Sequence, residues 1–169
     1  RCALVLVFSI SRERRGEILL RQRLADAVMA LAHAAETCDM SKVDEAYQAV
    51  SAVRHSAGVA QFDLCRADLI YGATIGDRAA ALSHAHALAA LSRDLPEVSL
   101  ACVGLRNSAT VFQEFGDIAN AQHALHQSRE LAARLKYAKQ VAEADIRRAD
   151  LALDEMDTAA ARAYLKSAE

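Results

Sequence analysis

The sequence contains no tryptophan, a single proline and six glycines, and only 5% of its residues are aromatic. So little proline and glycine leaves few sites for tight turns, which excludes a protein built from many short strands. The few aromatic residues also argue against a large pocket that stacks a ligand. Hydrophobic residues still make up 53% of the 169-residue chain, and much of that share is alanine, which favours helices. The composition therefore predicts an all-α protein.

The chain also lacks a block of charge of one sign and a pair of closely spaced cysteines. Its formal net charge is −2, and its densest basic segment, residues 11–17, mixes three arginines with two glutamates. A nucleic-acid-binding protein usually carries a basic patch that contacts phosphates, so we expect no nucleic-acid partner. Four widely spread cysteines fit reduced, buried thiols in the cytoplasm, although their even number leaves disulfides open.

Residues 2–10 form an apolar run, CALVLVFSI, about half as long as a membrane-spanning helix. We expect a helix or strand that packs against the following helices or a partner chain. The alternative is the remainder of a transmembrane helix in a longer protein, because the sequence opens at Arg1 without a methionine. No small-residue cleavage site follows the run, so a signal peptide is not supported. We predict a cytoplasmic protein with no membrane insertion in this segment.

Aspartates recur along the chain at a nearly constant interval. Asp77, Asp117 and Asp157 are evenly spaced, and the interval from Asp39 to Asp77 is only slightly shorter. We call the interval from Asp77 to Asp117 the aspartate spacing. Each of these aspartates stands between two helix-favouring runs rich in alanine. The glycine that precedes two of them can take the left-handed conformation that ends a helix. The aspartate can then cap the next helix by accepting a hydrogen bond from a free backbone N–H.

These recurring turn aspartates predict four pairs of helices. The two helices of a pair are expected to be antiparallel because only a short connection separates them. After a lead-in segment at residues 1–16, the predicted repeat domain covers residues 17–169, with units at about 17–55, 59–93, 97–135 and 137–169. The helices are predicted at 17–38 and 42–55, 59–74 and 78–93, 97–115 and 118–135, and 137–154 and 158–169. Ala81, Ala121 and Ala161 each follow a turn aspartate by four residues, where a small side chain lets the paired helices approach closely.

The third unit, LRNSATVFQEFGDIANAQHAL, resembles a tetratricopeptide-type repeat. Ala109 stands at the small position and Phe112 at the aromatic position, Gly116 begins the turn, and Ala121 and Leu125 follow in register. The resemblance covers residues 17–169, with a period of about 40 residues in place of the usual 34 or so. It implies a right-handed superhelix of about four antiparallel helical hairpins.

Long repeats of this type are similar to the helical arrays of bacterial signalling proteins. The resemblance implies a non-catalytic module for protein–protein interaction or regulation, which acts through dimerisation or by binding a protein or peptide in its concave groove. The alternative is the sensory segment of an enzyme such as a diguanylate cyclase, or of a LuxR-type transcription activator.

The first helix of each pair lines the groove in repeat proteins that bind peptides. The resemblance places arginines there, which suit carboxylate recognition, and an asparagine that can bond a backbone amide. The predicted groove residues are Arg66, Arg106, Asn107, Arg147, Asp63, Gln113, Glu143 and Asp150. The alternative is an ordinary solvated face with pairs within one helix, such as Glu143 with Arg147.

Catalysis and metal binding have no support in the sequence. It contains no GxSxG motif, no glycine-rich phosphate loop and no HExxH motif. His84, His86, His123 and His126 lack the convergent spacing of zinc ligands, and we expect them to lie partly exposed between repeats. We therefore expect no enzyme activity in this segment, no metal and no cofactor.

Overall fold

A computed structural model of the chain describes the backbone of residues 2–56 and 60–168, and the side chains of residues 16–56 and 60–168. All regular structure in these ranges is helical, which confirms the all-α prediction. The structure divides into two units, residues 1–75 and 76–169. The first contains α1 (Cys2–Glu36), α2 (Met40–Val53) and α3 (Gln61–Thr74). The second contains α4 (Arg78–Arg93), α5 (Val98–Glu114), α6 (Ile118–Arg134), α7 (Ala138–Asp154) and α8 (Thr158–Ala168).

Helix α1 is longer than predicted. It begins at Cys2 rather than near residue 17 and continues through Gly16, so the lead-in segment and the first predicted helix form one helix of 35 residues. The predicted packing of the apolar side chains at residues 2–10 lies outside the described side chains. The segment between the first two predicted repeat units, residues 56–58, also falls largely outside the described residues, and α3 begins at Gln61.

The core of the first unit forms where α1 packs against α2 and α3. Leu24, Val28 and Leu31 recur at helical spacing on one face of α1, and each is at most 1% exposed. They meet Val43 and Val50 of α2 in one apolar cluster. Burying each of these side chains contributes about 1.5–3 kcal/mol relative to leaving it in water.

In the second unit each helix packs against the next, and α5 also contacts α7. The predicted small positions at the start of the second helices are closed to solvent, since Ala81 and Ala121 are 0% exposed and Ala161 is 2% exposed. Leu125, four residues after Ala121, is likewise buried. Leu165 occupies the same place on α8 but is 47% exposed, because α8 packs chiefly against α7.

The turn between α5 and α6 shows why the helices end where they do. Gly116 has a φ of +78°, the left-handed conformation predicted for it. The N–H of Asp117 then reaches back to the carbonyl of Phe112 (2.7 Å), and the Asp117 carboxylate accepts from the N–H of Asn120 (3.3 Å). The carboxylates of Asp39, Asp77 and Asp157 accept the equivalent N–H bonds from Lys42, Ala80 and Ala160 at 3.3, 3.0 and 2.9 Å. The caps predicted at Asp77 and Asp117 are confirmed, and Asp39 and Asp157 cap their helices in the same way.

Three further turns place residues other than glycine in the left-handed conformation. Cys38, Lys136 and Met156 have φ values of 54°, 59° and 59°. Each is followed by a residue whose N–H bonds a carbonyl five residues earlier, as Asp157 does with Ala152 (2.8 Å). The turn geometry therefore repeats where the glycine does not, and these positions carry a strain of about 1–2 kcal/mol each.

Candidate interaction surface

Arg106 of α5 is held against α7 by two contacts. Its guanidinium donates to the side-chain carbonyl of Gln140 (2.5 Å) and forms an ion pair with Glu143 (2.6 Å). The Arg106 side chain is 14% exposed and that of Glu143 is 35% exposed, so the pair is partly removed from water. Two of the predicted groove residues are thus brought together, and they bind each other.

A second polar contact joins α5 and α7 two helical turns further along. The side-chain amide of Gln113, another predicted groove residue, donates to the carboxylate of Asp154. Arg106 and Gln113 are seven residues apart on α5, so they project from the same side of the helix. These two contacts hold α5 and α7 side by side.

The remaining predicted groove residues of this unit are Asn107, Arg147 and Asp150. Asn107 is partly buried on α5, whereas Arg147 and Asp150 are exposed on α7. Within the described part of the chain, Glu143 makes its ion pairs with Arg106 and, at 3.9 Å, with Lys139. The alternative pair of Glu143 with Arg147 is therefore not formed.

Two large apolar side chains lie exposed on the same face of α7. Ile146 is 45% exposed and Leu153 is 51% exposed. They occupy the positions that Arg106 and Gln113 hold on α5, one aspartate spacing earlier in the chain. Sequence reasoning missed Ile146 and Leu153 as surface residues. A comparison of the predicted repeat units 97–135 and 137–169 at this offset nevertheless shows apolar residues on α7 where α5 has polar ones.

Arg66 and Asp63, the other predicted groove residues, lie on α3 in the first unit. The Nε atom of Arg66 is buried and has no hydrogen-bond partner among the described residues. Burial lowers the pKa of Arg66, and the nearby Asp63 charge opposes that shift. Burial likewise raises the pKa of Asp63, against the effect of Arg66. Both groups therefore lose hydration without a direct ion pair as compensation.

Asp145 is the main polar group that sequence reasoning missed. It lies on α7 and is 0% exposed, and its carboxylate accepts hydrogen bonds from side chains of three helices. Arg129 of α6 donates to both carboxylate oxygens (2.8 and 3.0 Å), Arg148 donates to one (3.2 Å), and the Ser167 hydroxyl of α8 donates to the other (2.9 Å). A buried carboxylate needs such partners, so this cluster fixes α6, α7 and α8 together.

A signal for this cluster was present in the sequence. Asp145 stands one aspartate spacing after Leu105, a side chain that is 1% exposed on α5. An aspartate in the register of a core leucine predicts a buried carboxylate with cationic partners.

A small cleft lies beside this cluster, between α6, α7 and α8. Its volume is about 250 Å³, and the guanidinium of Arg148 lies 4.1 Å from the centre of the Tyr164 ring at its wall. Gln122 and Glu155 bond each other across it (2.9 Å). The cleft is smaller than the roughly 300–1,000 Å³ of ordinary ligand pockets, and its polar groups already pair with one another.

In the first unit, two tyrosines join α2 to α3. The rings of Tyr47 and Tyr71 stack with centres 3.9 Å apart and planes 6° from parallel. The Tyr47 hydroxyl donates to Asp68 (2.8 Å), which also accepts from Arg54 (2.9 Å), and the Tyr71 hydroxyl donates to Asp44 (3.2 Å). Burial and the bond to Asp68 raise the pKa of Tyr47. Every polar end is paired, so the arrangement is structural.

The histidines take part in separate local contacts. His86 lies 4.7 Å from the Phe112 ring, and His126 pairs with Glu130 at 3.3 Å. Among the residues whose side chains are described, no three histidines, cysteines or acids converge on a point that would hold a metal ion. Nor does any helix in the described part of the chain have the length and apolar character needed to cross a membrane.

Comparison of the chain with protein-family models, with curated proteins and with solved structures finds no match. The likeness to tetratricopeptide-type repeats is therefore an interpretation of the sequence pattern. The α5–α7 face combines exposed apolar side chains with paired polar groups at its edge.

Proposed function

We propose that the chain is a superhelical array of about four helical hairpins and serves as a non-catalytic interaction and regulatory module of a larger signalling protein. The repeat is supported by the aspartate caps at positions 39, 77, 117 and 157, which make the same bond at turns of nearly constant spacing. Regular spacing of identical turns is typical of repeat arrays. Such arrays commonly bind partners along the helices that open each pair.

The observation that carries the proposal is the face formed by α5 and α7. Its polar contacts, between Arg106 and Glu143 and between Gln113 and Asp154, stabilise the two helices against each other. Ile146 and Leu153 are left exposed beside them. Apolar side chains on a preorganised surface with a polar rim are what protein–protein contacts use.

The geometry also changes which residues recognise the partner. Arg106 is engaged by Glu143 and Gln140, so it is not free to bind a carboxylate of a ligand. Arg147 remains exposed on this face. We therefore assign the contact to Ile146 and Leu153 with Arg147 and Asp150 at their edge, rather than to a row of arginines.

A photo-cross-linking amino acid at position 139, in the intact protein in its native host, tests this function. Lys139 is exposed on α7 seven residues before Ile146, so it lies beside the proposed contact without being one of the residues assigned to it. We expect a protein adduct from position 139 and none from a control placed at Ala119, an exposed position on α6. Mass spectrometry would identify the adduct and the cross-linked peptide. Equal adducts at both positions, or none at position 139, would contradict the proposal.

A further inference from the structure

The two exposed apolar residues of α7 are arranged so that the face can pair with a copy of itself. Ile146 and Leu153 are seven residues apart, which places them two helical turns or about 10 Å from each other on one side of the helix. Both are about half exposed. We call Ile146 and Leu153 together the apolar stripe of α7. Because it has one apolar residue near each end, the stripe can pack against the stripe of a second α7 helix that runs in the opposite direction.

Two charged residues of opposite sign, Arg147 and Asp150, lie between Ile146 and Leu153 in the sequence. Arg147 and Asp150 are exposed on α7, and neither forms an ion pair or a hydrogen bond within the described part of the chain. Their neighbours Glu143 and Asp154 are already bound to α5. The face therefore presents one unpaired cation and one unpaired anion, close to the centre of the apolar stripe.

Resting on the proposed function, which makes this face a contact surface, we propose that its occupant is a second copy of the chain. The two α7 helices pair antiparallel about a two-fold axis that passes near residue 149. Ile146 then packs on Leu153 of the second copy, and each Arg147 faces an Asp150 across the axis. Such a contact is isologous, since the same residues serve on both sides.

The register fits both sets of contacts. When Ile146 lies opposite Leu153 of the other copy, Arg147 and the opposing Asp150 differ in height by two residues, or about 3 Å. An arginine side chain spans that distance readily. Arg147 and Asp150 also lie on the same flank of the stripe, so the two-fold axis brings them together rather than placing them on opposite sides.

The contact involves one helix face from each copy, so it belongs with small, transient interfaces of less than about 1,200 Å². We expect a reversible dimer that dissociates on dilution, with a dissociation constant on the order of 100 µM. Regulation would follow from this weakness, because a modest rise in local concentration would change the fraction of paired chains.

Charge exchange tests the pairing. In Arg147→Asp, two aspartates would face the Asp150 pair, and in Asp150→Arg, two arginines would face the Arg147 pair. Each variant alone should therefore dimerise about tenfold more weakly or worse, because like charges would meet twice across the axis. An equimolar mixture of the two should form a heterodimer, and the double variant should recover the wild-type dimer.

Sedimentation velocity over a range of concentrations reads the result, and circular dichroism confirms that each variant keeps its helices. Single variants that associate as the wild type does, or a mixture that stays monomeric, would overturn the pairing. A wild-type protein that remains monomeric at about 1 mM would overturn it as well. The proposed function fails separately, if position 139 gives no protein adduct; an adduct with a different protein would overturn only the second copy as occupant.

Discussion

Arg106 of α5 and Glu143 of α7 form a partly buried ion pair of 2.6 Å, and this contact turns two predicted ligand-binding groups into a structural link. The sequence placed both on one surface but left them independent. Once paired, they hold α5 against α7. In the proposed function, the contact with a partner is made by the exposed side chains beside them, above all Ile146 and Leu153.

Removing the charge from Glu143 should destabilise the second unit. In Glu143→Gln, Arg106 keeps Gln140 but loses its counter-charge while it is 14% exposed, so we expect the free energy of unfolding to fall by about 1–3 kcal/mol. Asp150→Asn on the same helix is the matched control and should change it by less than about 0.5 kcal/mol. Urea denaturation at low protein concentration measures both. Equal effects would count against the ion pair.

Asp145→Asn should cost more than any surface change. The variant leaves Arg129 and Arg148 beside a buried neutral amide, and we expect a loss of about 3 kcal/mol in unfolding free energy. Glu130→Gln breaks an exposed pair with His126 and should cost about 1 kcal/mol or less. Guanidinium denaturation of the two variants compares them. A cost for Asp145→Asn no larger than that for Glu130→Gln would mean the cluster contributes little.

Substitutions at two left-handed turn positions, Gly116 and Met156, should change the free energy of unfolding in opposite directions. Gly116→Ala should destabilise by about 1 kcal/mol, because φ is +78° while no neighbouring atom lies within 4 Å of the added methyl group. Met156→Gly should stabilise by about 0.5–1 kcal/mol, since Met156 is 87% exposed and has a φ of 59°. Thermal unfolding reports both shifts. Changes of the same sign would show that backbone strain does not govern these turns.

The helix boundaries were largely predictable because they depend on neighbouring residues. A left-handed glycine followed by a capping aspartate, as at Gly116 and Asp117, acts within one turn of chain. Lys136 and Met156 adopt the same conformation without glycine, because tertiary packing of the flanking helices overrides the local preference. The start of α1 was missed since Gly16 lowers helix propensity but does not end a helix.

The candidate surface was only half predictable. Register alone placed Arg106 and Gln113 on one side of α5. Their partners on α7 depend on how α5 and α7, which are not consecutive in the chain, pack against each other, and no local pattern encodes this. Asp145 and Ile146 were accessible by another route, because each breaks the pattern set one aspartate spacing earlier by Leu105 and Arg106. A position-by-position comparison of the predicted repeat units 97–135 and 137–169 therefore identifies both residues.

Stability should also depend on pH through Cys65. Burial raises the pKa of its thiol from an ordinary value of about 9 to about 11. The unfolded chain therefore loses this proton first, so the contribution of Cys65 is complete below about pH 9 and is lost as the pH rises towards about 11.

The measurement is the difference in unfolding free energy between the wild type and Cys65→Ala, under reducing conditions. We expect that difference to shrink between pH 8 or so and pH 10.5 or so. Leu64→Ala supplies the control, because it deletes a buried side chain that does not ionise and its cost should follow no such trend. A cost for Cys65→Ala that stays constant over this range would contradict the buried thiol.

Methyl NMR tests most directly whether the exposed face of α7 pairs with the same face of a second copy. We predict that the methyl resonances of Ile146 and Leu153 shift as protein concentration rises, while those of Leu31 on α1 stay constant. Leu31 is a suitable reference because it is 0% exposed in the core of the first unit, whereas α7 belongs to the second unit. Shifts confined to other residues, or Ile146 and Leu153 resonances that do not move at any concentration, would contradict the account.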